Sequence, residues 1–121
     1  MILVDSSLWI DHLRLGDATL ADLLAGGLVL GHPFVLGELA CGNLRNRREI
    51  LTLLGDLPQA VVATDAEVLA VVERYRLMGR GIGYVDAHLL ASTLLTPETQ
   101  LWTRDQRLAA VAQGLGVGAD P

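Results

Sequence analysis

The sequence predicts a small three-layer α/β domain, a short parallel sheet of about four strands flanked by helices. Three observations lead there. The chain has 121 residues, the length of one ordinary domain. Short apolar runs alternate with segments whose apolar residues recur at helical spacing. The runs are continuously apolar rather than alternating, the pattern of strands covered on both faces, and strands separated by helices pair in parallel through right-handed crossovers. Hydrophobic residues at 51% and charged residues at 19% supply a core and exclude disorder as the main state. With no repeat, low-complexity segment or Ser/Pro-rich linker, residues 1–121 read as a single domain.

Ile2–Val4 is the first strand, and residues 7–14 place Trp9, Ile10 and Leu13 on one helical face before Gly16 stops it. Ala18–Ala25 is a second helix, ended by Gly26-Gly27. Residues 28–30 form a second strand, and Pro33 suits the first turn of a helix carrying Leu36, Leu39 and Ala40. A helix over residues 47–54 and a third strand over 59–63 follow. Thr64-x-x-Glu67 is a capping box opening a helix with Val68, Val71, Val72 and Tyr75 on one face. Glycines 79, 81 and 83 break it, residues 85–95 are helical, residues 100–103 are the fourth strand, and a last helix spans 105–113 before Gly114.

Composition removes several functions. Nine basic residues against fourteen acids leave a net charge of −5, which argues against a simple basic clamp on duplex nucleic acid. All nine are arginine. Without lysine there is neither a P-loop nor the lysine of a phospho-receiver domain. Gly79-Arg80-Gly81-Ile82-Gly83 lacks G-x-G-x-x-G spacing and a preceding strand, so it reads as a flexible connection between helices. No G-x-S-x-G elbow is present, and His12, His32 and His88 are scattered, as structural histidines are. One cysteine, Cys41, allows neither an internal disulfide nor structural zinc. The longest apolar stretch, residues 23–37, is interrupted by His32 and Pro33 and is too short to span a bilayer, and the first residues lack a basic leader. A cytoplasmic protein is expected.

The chemistry lies in four acids. In an open α/β sheet function gathers at the carboxyl ends of strands, where Asp5 directly follows the first strand and Asp105 lies just past the fourth. Glu38 and Asp86 interrupt apolar contexts, Phe34-Val-Leu-Gly-Glu38-Leu-Ala-Cys41 and Ile82-Gly-Tyr-Val-Asp86-Ala-His-Leu-Leu90, with no basic residue three or four positions away. An acid in such surroundings must be paired, neutral or metal-bound. Asp86 or Asp105 alone also reads as a helix cap. For the four together, a hard divalent cation such as Mg2+ or Mn2+ resolves their repulsion.

These segments resemble PIN-domain ribonucleases, specifically the VapC-type toxins of bacterial toxin-antitoxin pairs. The resemblance covers nearly the whole chain and rests on Ile2-Leu-Val-Asp5-Ser-Ser-Leu-Trp-Ile-Asp11, Pro33-Phe-Val-Leu-Gly-Glu38-Leu, Gly81-Ile-Gly-Tyr-Val-Asp86-Ala-His-Leu-Leu-Ala91 and Leu101-Trp-Thr-Arg-Asp105, in that order. It implies a single PIN domain in which Asp5, Glu38, Asp86 and Asp105 are the acidic metal-site residues, with Asp5 and Asp86 as direct ligands. Ser6 and Thr103 match small hydroxyl positions that orient a ligand or a metal-bound water. The resemblance further implies Mg2+- or Mn2+-dependent hydrolysis of RNA leaving 5′-phosphate and 3′-hydroxyl ends, a homodimer, and silencing by a VapB-like antitoxin.

Contacts to RNA phosphates, or to antitoxin carboxylates, must come from arginine. Arg45, Arg47 and Arg48 form the densest basic cluster and Arg104 adjoins Asp105; a solvated helix face and a local ion pair are the competing reading. Five aromatic residues leave little for base stacking, so RNA shape and exposed single strands are the expected determinants. A PIN-fold nuclease acting on DNA and a non-catalytic PIN-like binding partner are the alternatives; the second would lack one of the acids. A small-molecule phosphatase would need Asp-x-Asp, where this chain has Asp5-Ser6-Ser7.

Overall fold

The computed structural model describes residues 1–121. In chain order the elements are β1 (Ile2–Val4), α1 (Ser6–Leu15), α2 (Ala18–Ala25), β2 (Val29–Leu30), α3 (Pro33–Ala40), α4 (Arg47–Gly55), α5 (Asp65–Tyr75), α6 (Tyr84–Leu95), β3 (Gln100–Trp102) and α7 (Gln106–Gly114). The sheet is parallel, in the order β2-β1-β3, with Ile2 opposite Val29 on one side and Gln100 on the other. Leu3 and Val4 project to opposite faces and both are fully buried, so helices cover the sheet on both sides. The chain leaves β1 towards β2 on one edge and returns to β3 on the other, which makes the carboxyl end of β1 the point where the topology reverses.

Local signals explain most boundaries. Gly16, with φ of 76°, ends α1, and the Thr64–Glu67 capping box opens α5 with both reciprocal hydrogen bonds formed. Val68 is buried, and Val71, Val72 and Tyr75 pack on the core from the same face. Eighteen buried residues drawn from β1, β2, β3 and most helices form the main cluster, Trp9 among them.

The expected strand over residues 59–63 is not one. It makes a single parallel bridge, Gln59 to Gly31, and then leaves the sheet for α6: the Val61 amide donates to Thr96 Oγ1 and the Ala63 amide to Ser92 Oγ. Helix hydroxyls here replace a strand partner, a substitution invisible to hydrophobic patterning. The sheet thus has three strands rather than four. At the other edge, residues past α7 make a second isolated bridge, Gly118 to Leu101. No helix is long and apolar enough to cross a membrane.

Candidate active site

Three of the four acids stand at the start of a helix. Asp5 ends β1 and caps α1, and Asp105 caps α7 by accepting from the Arg107 and Leu108 amides. Asp86, in the first turn of α6, accepts from the Gly83 amide at 3.1 Å. Backbone N–H groups and helix dipoles favour the anionic carboxylate at all three places. Glu38 differs: it lies in the last turn of α3, where the dipole opposes negative charge.

Asp5 is 6% exposed, and no cation touches it. Its Oδ1 accepts from the Ser6 amide at 2.8 Å; its Oδ2 accepts from Thr103 Oγ1 at 2.7 Å and Ser7 Oγ at 3.2 Å. Thr103 Oγ1 in turn accepts from the Asp105 amide and Ser7 Oγ from the Arg104 amide, so both hydroxyls are committed as donors towards Asp5. Ser6 Oγ stands 3.3 Å from Glu38 Oε1 and 3.5 Å from Asp5 Oδ1, linking the two acids.

The four acids act on one another electrostatically. Partial loss of water pushes the Glu38 carboxyl above its ordinary value, and the charges of Asp5 and Asp86 push it further against the Ser6 hydrogen bond. Asp86 is raised chiefly by burial; its bond from Gly83 opposes this, and Asp5 and Asp105 add to it. The acids are therefore neighbours in a chain of mutual repulsion, Glu38 to Asp5 to Asp86 to Asp105, without a basic residue paired to any of them.

A hard divalent cation fits this donor set, which is all oxygen and carries excess negative charge. No group of three or more His, Cys, Asp or Glu side chains is placed to hold a metal ion by itself. Mg2+ suits such an open arrangement, because it keeps several waters and takes one or two carboxylates together with substrate phosphates.

The arginines singled out in the sequence separate into different roles. Arg45 lines a groove of about 810 Å3 between α1, the end of α3 and residues 42–46, with Arg14, Ile10, Leu13 and Glu38 also in its wall. Arg47 caps α3, donating to the Ala40 and Gly42 carbonyls. Arg48 is exposed on α4. Arg104 is held by two carboxylates, Asp11 and Asp17, each at 2.8 Å, and ties α1 to the turn between β3 and α7. The sequence reading missed Ser7, whose signal was its place two residues after Asp5.

The histidines take structural positions. His12 Nδ1 accepts from the Asp17 amide, and buried His32 caps α3 through Nδ1 while its Nε2 meets Ser92 Oγ at 2.9 Å. His88 Nε2 lies 3.1 Å from Asp65 Oδ1, which also accepts from the Tyr84 hydroxyl.

The family profile described as PIN domain matches residues 2–114. Ribonuclease VapC32 of Mycobacterium tuberculosis, in strains CDC 1551 / Oshkosh and ATCC 25618 / H37Rv, is 50% identical over 117 residues, 97% of this chain and 94% of the relative. The order of strands, the reversal point after β1 and the match from end to end converge: this chain belongs to the PIN-domain family, in its VapC-type branch.

Proposed function

We propose that this protein is a Mg2+- or Mn2+-dependent endoribonuclease, the toxin of a toxin-antitoxin pair, acting in the cytoplasm with residues 1–121 as one PIN domain. The observation that carries the reading is the link between Asp5 and Glu38 through the Ser6 hydroxyl, with no basic residue paired to Asp5, Glu38, Asp86 or Asp105. The 50% identity to relatives named Ribonuclease VapC32 supports it.

Asp5 and Asp86 would hold the cation directly, with Glu38 and Asp105 completing its surroundings. Such a cation, when bound, lowers the pKa of a water and offsets charge on the phosphoryl oxygens. The chain's own residues supply the geometry. Thr103 and Ser7 occupy Asp5 Oδ2 with two O–H donors, fixing the carboxylate plane. Ser6 couples the orientation of Glu38 to that of Asp5. Arg45, in the groove that Glu38 also lines, is placed to meet the phosphates of an RNA strand entering from that side. A VapB-like antitoxin and a homodimer are the partners expected with this activity.

The test is cleavage of single-stranded RNA by purified protein, with 5′-end mapping. Activity that requires Mg2+ or Mn2+, stops in EDTA, leaves 5′-phosphates and is lost in Asp5→Asn and Asp86→Asn supports the reading. Undiminished cleavage in EDTA, or full activity in either variant, overturns it. The same assay on DNA identifies a deoxyribonuclease instead.

A further inference from the structure

Arg107 is the second residue of α7 and is exposed, yet its guanidinium pairs with no carboxylate and makes no hydrogen bond. That sets it apart from Arg47, engaged by two carbonyls, and from Arg104, engaged by two carboxylates. A cation in the first turn of a helix also opposes the dipole. The side chain is nonetheless placed. It lies across Gly81, so that a Cβ on Gly81 would stand 2.7 Å from Arg107 Cδ and Nη1 and 3.1 Å from Nε. Gly81 has φ of +80°, a conformation that itself favours glycine.

This contact joins the two segments that deliver acids to the crevice. Residue 81 belongs to the loop that ends at Gly83, whose amide holds Asp86, and Arg107 gives its own amide to Asp105. The unpaired guanidinium thus rests on Gly81, two residues before the Gly83 amide that holds Asp86, on a helix that Asp105 caps, and it is not among the residues lining the Arg45 groove.

We propose that Arg107, seated on Gly81, binds a phosphodiester of the RNA strand on the α6–α7 side of the crevice, so that the substrate is gripped by arginines on both sides of the acids. The inference rests on the RNA-cleaving reading above. A planar guanidinium grips a phosphate bidentately, and in a chain without lysine such a contact has to come from arginine.

The test measures binding of a labelled, mixed-sequence oligoribonucleotide to the Asp5→Asn protein, which leaves the RNA intact, at fixed Mg2+ across a KCl series. Adding Arg107→Gln should weaken binding about tenfold at low salt and lower the salt slope by about 0.7, the loss of one single-strand phosphate contact. Arg107→Lys should keep the slope and recover only part of the affinity. Gly81→Ala, which displaces the side chain, should weaken binding when Arg107 is present and add nothing once it is glutamine. An arginine that only packs on Gly81 would leave the slope unmoved; that result overturns the proposal, as does an effect confined to binding of a partner protein. If the wild-type protein neither binds nor cleaves the oligoribonucleotide in Mg2+, the RNA reading itself fails. Normal binding by the parent with an unchanged Arg107→Gln variant rejects the Arg107 contact alone.

Discussion

On one side of α6, burial pushes the Asp86 carboxyl upward and the charges of Asp5 and Asp105 add to it, with no base paired to any of them. On the opposite side Ser92 lies buried one turn beyond His88, and its single hydroxyl serves both His32 Nε2 and the Ala63 amide. One helix thus separates two treatments of polar groups. In the His32–Ser92 region each of these groups has a neutral partner, which is how a fold accommodates buried polarity. In the crevice the hydrogen bonds are met while the charge is not, a state that makes sense only with a cation or a ligand in view. The shared Ser92 hydroxyl marks structure here, and uncompensated charge marks function.

Substitutions can break this contrast from either side. The largest effect is expected in the crevice: Asp5→Asn or Asp86→Asn should lower Mg2+-dependent RNA cleavage by about 10³-fold or more, with thermal melting showing the fold intact. On the other side the sensitive variable is acid. Burial, with a smaller contribution from the charge of His88, lowers His32 from 6.5 to about 4. A histidine lowered in the folded state gives stability that is present above its unfolded value and is lost as pH falls through the folded one. Denaturant unfolding should therefore show stability falling between pH 6.5 and 4, by up to about 3 kcal/mol. His32→Asn, which can still cap α3, should flatten that loss.

Ser92→Ala leaves His32 Nε2 and the Ala63 amide without their common partner, and should cost about 1–3 kcal/mol in denaturant unfolding while RNA cleavage per folded molecule holds. Thr103→Val does the reverse. It removes one of the two O–H groups that hold Asp5 Oδ2, the Ser7 hydroxyl remaining, so cleavage should fall about tenfold, a larger effect on activity than on stability. Equal losses of stability and activity in both variants would erase the distinction.

The two regions were also unequally legible in the sequence. Asp5, Glu38, Asp86 and Asp105 stand out because charge in apolar context is rare and because strand ends are readable from a period of two or a continuous run. The polar side of α6 was not legible, since Ser92 and Thr96 look like ordinary helix residues until the 59–63 segment is seen to hydrogen-bond to them. The same pairing explains the missing strand: residues 59–63 carry strand-like apolarity, but their amides find helix hydroxyls nearer than a sheet edge. The partners of Arg47 and Arg104 were not legible for a related reason. Sequence neighbours of Arg104 say nothing of Asp11 and Asp17, which arrive from α1 and the turn beyond it. Ser7 looks like an ordinary first-turn helix residue until its hydroxyl is seen to reach Asp5 Oδ2.

The two isolated bridges flanking the sheet bear on how this molecule meets others. Gly31 exchanges hydrogen bonds with Pro58 and Ala60 at the β2 edge, and Leu101 does so with Val117 and Ala119 at the β3 edge. Each bridge occupies part of an edge that would otherwise template an incoming strand. A sheet this short, blunted at both borders, offers poor footing for pairing between copies. Its associations must run through side-chain surfaces, and a partner that added a strand beside β3 would first have to peel residues 117–119 away.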